Sequence, residues 1–247
     1  MPIPQYFLDR RTVRRFSDRA VDMSMITEML GAAAQAPNTG NMQLYSAVVT
    51  VSPETIKALA PAHFNQPASV GCAAMVTFCA DFNRFEHWCR VSDAAPGYDN
   101  FQAFIWAVID ATIFAQQFCT IAEQSGLGCC YLGTTTYNAP QIAGILDLPN
   151  RVVPVVTIAL GWPDGEAPKC DRLPVDSIVH IEKYKDYSDD DIRDIYSYKE
   201  SLPENKNFVS ENGKETLAQV FTDVRYKKSD NEYFSKLYRD FIGEQGF

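Results

Sequence analysis

The stretch from Phe101 to Ala122 limits the possible folds more than any other part of the chain. Phe101, Phe104, Ile105, Val108, Thr112, Ala115, Cys119 and Ala122 fall on related faces of a helix. The pattern predicts one long helix over Asp99 to Gln124, closed by Gly126 as a left-handed cap. Gln102, Asp110, Gln116 and Gln117 interrupt the run, so it reads as a buried helix of a folded domain and not as a membrane span. A helix that is apolar nearly all round must be surrounded by other elements. The 247 residues are enough to do so with one sizeable core or two small ones.

The elements around it follow from local signals. Asp22 caps a helix carrying Met25, Ile26, Met29, Leu30 and Ala33, which stops by Ala36 because Pro37 disfavours helical geometry before it. Ser46 to Val51 reads as a strand, and Ser52-Pro53 opens a short helix reaching Ala60. The runs "AAMVTFCA" (Ala73 to Ala80) and "VVPVVTIALGWP" read as strands covered on both faces. A short strand lies within "GLGCCYLG", a short helix spans Ala139 to Asp147, and a further strand is expected in "VDSIVHIEKY". This order is not strict β-α-β alternation. It predicts an α+β fold with a central mixed sheet flanked by helices. Beyond it, Ser188 caps "DDDIRDIYSYKE", and Tyr233, Phe234, Leu237, Tyr238, Phe241 and Ile242 form an amphipathic stripe. The expected division is a core of residues 1–187 and a C-terminal helical excursion of residues 188–247.

Charge narrows the chemistry. A formal charge of −9 argues against nucleic-acid partners, since the phosphate backbone would be repelled. Against that background Arg10, Arg11, Arg14 and Arg15 surround Thr12 within six residues. Extended chain turns Arg10, Thr12 and Arg14 to one side, and guanidinium forks with a hydroxyl suit a phosphate. The alternative is a solvated basic face. The loop Pro37 to Asn41 is dense in turn formers, which serve either a ligand or a plain connection. Seven scattered cysteines and no visible secretory signal fit free thiols in a reducing cytoplasm. His63, His87 and His180 lie far apart, and no metal site is predicted. Cys129-Cys130 reads as packing. No serine-nucleophile elbow and no G-x-G-x-x-G fingerprint is present.

Three segments resemble one family. The opening "RRTVRRFSDRAVDMSMITEMLGAAAQAPNTGNMQ", the stretch "QPASVGCAAMVTFCADFNRFEHWCR" and the turn "GLGCCYLGTTTYN" are similar to the nitroreductase family of flavoproteins. Within it they resemble the larger, oxygen-insensitive, NADPH-linked nitroreductase and flavin-reductase subgroup. The resemblance implies the nitroreductase fold, FMN at the interface of a homodimer, and an excursion covering the active site. It implies that Arg10, Arg11, Thr12 and Arg14, joined by Lys169 and Arg172, hold the FMN phosphate. Asn38, Thr39, Gln43 and Gln66 are expected to hydrogen-bond the ribityl chain and ring edge, with Tyr131, Gly133 and Thr134 facing the ring. The implied reaction is ping-pong hydride transfer from NADPH or NADH to a nitroaromatic, a quinone or free flavin, with no dedicated acid–base residue. A reductive dehalogenase, or a non-catalytic flavin-binding or regulatory protein, are the alternatives on the same fold.

Overall fold

The computed structural model describes residues 2–247. Four strands, β1 (Tyr45–Thr50), β2 (Ala74–Asp81), β3 (Gly128–Leu132) and β4 (Val152–Gly161), form one sheet in the order β1-β2-β4-β3. All three pairings are antiparallel, so the α+β class holds while the expected mixed sheet is corrected. The expectation rested on the order of the elements, which does not fix strand direction, and the unbroken burial read for β2 and β4 does not require parallel neighbours. That burial is real. Its cause is helices packed on both faces of an antiparallel sheet. Pro154 is accommodated inside the central strand β4 because the register slips there, between Phe78 and Cys79 of β2.

Six helices precede β3: α1 (Gln5–Asp9), α2 (Met23–Ala33), α3 (Pro53–Leu59), α4 (Pro67–Val70), α5 (Asn83–Val91) and α6 (Phe101–Gln124). The expected long helix is α6, and Asn100 caps it by accepting from the Ala103 amide at 3.0 Å. It is long and apolar enough to cross a membrane by length and composition. Here it packs on the sheet. Ala111, Phe114, Phe118 and Ala122 meet Val76, Phe78, Ile158 and Leu160, with Ile26, Met29 and Ala33 of α2 beside them. Burying Phe78 and Phe118 contributes roughly 2–3 kcal/mol each. On the other face Ile56, Leu59, Ala62 and Ala68 join Ile142 of α7 (Ala139–Ile145) over Met75, Cys130, Leu132 and Ala159.

The chain divides into two compact units, Met1–Pro168 with Phe234–Phe247, and Lys169–Tyr233. The boundary expected between residues 187 and 188 coincides with neither edge of the second unit. The end of the chain belongs with the core because Phe241 and Ile242 are buried among Leu44, Phe82, Phe104 and Val153. Arg151 adds to this hold: its guanidinium pairs with Glu86, donates to the carbonyls of Gly246 and Tyr98, and lies 4.0 Å from the Phe247 ring centre.

The second unit contains α8 (Asp189–Ser201), α9 (Pro203–Glu211) and α10 (Leu217–Val220). The long helix α11 (Lys228–Glu244) begins in it and runs back into the core unit. Ser188 caps α8 through a reciprocal pair with Asp191, as its sequence predicts. The strand expected in Val175 to Tyr184 is not formed. Val175–Ser177 is a single 3-10 turn, and Ile178, Val179 and Ile181 are exposed. Among the described residues this unit has no strand to pair with, so β-branched side chains alone do not make one.

Candidate functional site

Residues 10–17 run extended between α1 and α2 and are sewn to the end of the sheet. The Val13 amide donates to the Cys129 carbonyl at 3.1 Å, and the Ser17 amide to the Trp162 carbonyl at 2.8 Å. Phe16 bridges Pro163 in antiparallel fashion. Two glycines make the approach possible. Gly128 and Gly161 face each other across β3 and β4. A Cβ on Gly128 would lie 2.6 Å from the Val13 side chain, and one on Gly161 3.0 Å from Phe16. Gly128 is thus room for Val13. Gly133, at the far end of β3, does face open space.

With Val13 turned inward, Thr12 and Arg14 turn outward. Arg10 presents Nε and Nη2 to the Glu123 carboxylate at 3.2 and 3.0 Å and donates from Nη1 to the Thr12 hydroxyl at 3.4 Å. Arg11 pairs with Glu166 and donates to the Ala167 carbonyl at 2.9 Å. Arg14 is exposed and lies beside the Cys130 thiol, whose own ionisation burial pushes up. Glu123 was not anticipated as a partner of Arg10; its only signal was an acid one helical turn beyond Cys119. Lys169 and Arg172 belong to the second unit, where Arg172 donates to its neighbours' carbonyls, Asp171 at 2.7 Å and Cys170 at 3.4 Å.

The loop from Asn38 to Gln43 is built differently. Gly40, Asn41 and Gln43 have φ of 55°, 57° and 54°, a left-handed conformation that a glutamine adopts only when held. The holder is Asp110 of α6, only 1% exposed, which accepts from the Thr39 amide at 2.8 Å, the Thr39 hydroxyl at 2.9 Å and the Leu44 amide at 3.4 Å. Asn38 adds an acceptor for the Gln43 amide at 3.2 Å. The proton of the Thr39 hydroxyl therefore goes to Asp110, and its oxygen keeps only acceptor capacity. This loop leads into β1, whereas the arginines lie along β3. Those are the two edges of the sheet, roughly 14 Å apart across three strand spacings.

Gln66, Gly133 and Thr134 come together through a residue the sequence reading set aside. His63 is fully buried; its carbonyl accepts from the Gln66 amide at 3.2 Å and its Nδ1 hydrogen-bonds the Thr134 hydroxyl at 3.0 Å. Among the described residues its Nε2 has no partner. Burial lowers the imidazole pKa to about 4, so the ring is neutral near pH 7. Strand alternation puts Leu132 and Cys130 on this face and turns Tyr131 toward α6. The Tyr131 hydroxyl there donates to Gln116 at 3.2 Å. The same alternation sends Cys129 and Cys130 to opposite faces, so they are not a redox pair.

The chain is similar to known proteins. Residues 8–162 match the sequence model of the Nitroreductase family. The FMN reductase (NADPH) of Bacillus subtilis (strain 168) is 26% identical over 97% of this chain and 96% of its own. The oxygen-insensitive NADPH nitroreductase of Salmonella typhimurium is 29% identical over 74% of this chain and 75% of its own. A crystal structure from Bacteroides fragilis NCTC 9343 superposes with a TM-score of 0.96 at 47% identity, covering 98% of both chains. The match spans well over half of the sequence and every candidate from Arg10 to Thr134: the chain belongs to the nitroreductase family.

Proposed function

We propose that this protein is an FMN-dependent NAD(P)H oxidoreductase that passes electrons to nitroaromatics, quinones or free flavin. The observation that carries the reading is the family match over residues 8–162, together with relatives named as an NADPH-dependent FMN reductase and an NADPH nitroreductase. The residues fit the cofactor. An exposed guanidinium at Arg14, open space at Gly133 and an unpartnered buried nitrogen on His63 beside Thr134 suit an anionic group joined to a planar polar one. FMN, when bound, supplies the hydride acceptance and delivery.

The chain supplies position and charge. Arg14, exposed and two residues beyond Thr12, neutralises the phosphate; the family resemblance implies the same role for Arg10, Arg11, Lys169 and Arg172, of which Arg10 and Arg11 are here paired with Glu123 and Glu166. Asn38, Thr39, Gln43 and Gln66 hydrogen-bond the ribityl chain and ring edge, while Gly133 and Thr134 bound the ring; Tyr131, expected beside them, is turned toward α6 and stays outside that group. Donors at the ring edge stabilise the negative charge that reduction creates. A homodimer reconciles the two sheet edges, because an interface site takes the β1 loop from one protomer and the β3 edge from its partner. The exposed apolar residues Phe101, Ile109 and Ile113 along α6 support that assembly.

The test is an absorbance spectrum of the purified protein followed by NADPH, then NADH, without oxygen. Flavin bands that bleach support the reading, and reoxidation by an added nitroaromatic or quinone identifies the acceptor class. Bound flavin that neither nucleotide bleaches overturns the reductase assignment in favour of a binding protein. No flavin after reconstitution with FMN overturns the site.

A further inference from the structure

Cys119 and Glu123 stand one helical turn apart on α6 and share a face. Cys129 meets them from β3, since the strand turns it toward α6 while Cys130 points away. The two sulfurs and a Glu123 oxygen all lie within 4.8 Å of one another, with Cys119 Sγ 3.7 Å from Glu123 Oε1. Both cysteines are fully buried. The carboxylate is held from outside by the Tyr6 hydroxyl, 2.5 Å from Oε2, and by Arg10.

We propose that Cys119, Cys129 and Glu123 form a binding site for one thiophilic divalent cation of the Zn2+ or Cd2+ class. Two sulfurs and one oxygen select such a cation over Mg2+ or Ca2+, which take oxygen ligands. Tetrahedral zinc bonds of roughly 2.0–2.3 Å put ligand atoms about 3.5–3.8 Å apart, so the cluster needs to contract by about 1.3 Å at most. Charge also balances. With both thiols protonated and no cation, the cluster is Arg10 and Glu123, one positive and one negative. Binding releases one proton from each thiol, so a dication and two thiolates are added and the sum stays zero. No uncompensated charge is buried. Tyr6 and Arg10 orient the ligating carboxylate from behind, as outer partners of metal ligands do. They also form the way in: α1 has no buried residue, and these two side chains tie its ends to Glu123.

The experiment titrates the purified, thiol-reduced protein with Cd2+, with no NADPH or NADH present, so its outcome is independent of the reductase reading. Ultraviolet difference absorbance reads thiolate-to-cadmium charge transfer, and equilibrium dialysis reads stoichiometry. The expected result is one Cd2+ per chain with two protons released. The band is lost in the double variant Cys119→Ser with Cys129→Ser and kept in Cys72→Ser with Cys170→Ser. Tyr6→Phe is expected to weaken binding about tenfold. X-ray absorption on the wild-type protein counts two sulfurs per cadmium, whether or not the variants fold. A band that survives the first double variant, a sulfur count of zero or one, or the absence of stoichiometric binding overturns the site.

Discussion

The arginine segment and the Asn38–Gln43 loop are both candidate contacts to one cofactor, yet they are fixed by opposite means. Residues 10–17 are seated by an absence: two facing glycines leave a slot that Val13 and Phe16 fill, and backbone amides close it. The loop is fixed by a presence, one buried carboxylate that accepts three hydrogen bonds and holds left-handed residues in place. The first arrangement tolerates changes in its outward side chains and fails when its floor is filled. The second fails when a single side chain is removed.

The largest effect is expected at Asp110. Asp110→Ala leaves the Thr39 and Leu44 donors without their acceptor and costs roughly 3 kcal/mol in chemical denaturation. Flavin affinity should fall with it. A variant of wild-type stability would break the comparison, because the loop would then hold its shape unaided. Next comes Gly128→Ala, whose new Cβ must displace Val13 at a cost of roughly 1–3 kcal/mol. Adding Val13→Ala should recover most of that loss, and a purely additive double-mutant cycle would deny the slot.

His63 sharpens the contrast through pH. Its ring is held neutral in the fold, with a pKa of about 4 against an ordinary 6.5. The unfolded chain therefore takes up a proton first as pH falls. Stability is complete above about pH 6.5 and is lost progressively down to about pH 4, a range set by those two values. His63→Asn, which keeps a hydrogen-bonding group near Thr134, should flatten that part of the stability profile. An unchanged profile would rule His63 out as its source. The smallest effect on stability belongs to Arg14→Ala, within about 0.5 kcal/mol for an exposed side chain. Its flavin affinity should nonetheless drop by about tenfold or more, and full FMN occupancy in that variant would remove Arg14 from the phosphate.

The sequence carried the long helix, the four strands and most caps, because each rests on periodicity or on a cap residue a few positions away. It carried the arginines as a cluster but not their seating, since Gly128 and Gly161 meet only after β3 and β4 pair. Asp110 was visible only as a polar break in an apolar run, with nothing local to show that a loop some seventy residues earlier hangs on it. His63 had no motif around it, and its partner Thr134 lies 71 positions away. The strand expected after Pro174 shows the reverse error: the segment holds β-branched residues, and it forms a single 3-10 turn with no edge to join.

The grip of Arg151 on Gly246 and Phe247 has a consequence for the polymer physics of the second unit. Lys169–Tyr233 is anchored at both of its ends, so it is a closed loop and not a tail. If it unfolds locally it gains only the entropy of a tethered chain. Its length is also free to drift, since each doubling of a flexible loop adds only about 0.6 kcal/mol of closure cost. Insertions there should be tolerated so long as the helix end at Phe241 and Ile242 and the clasped last two residues stay docked. Cutting back through Phe241 and Ile242 as well, the buried residues that hold this end, converts the loop into a tail and should loosen the second unit without a change to any of its own side chains.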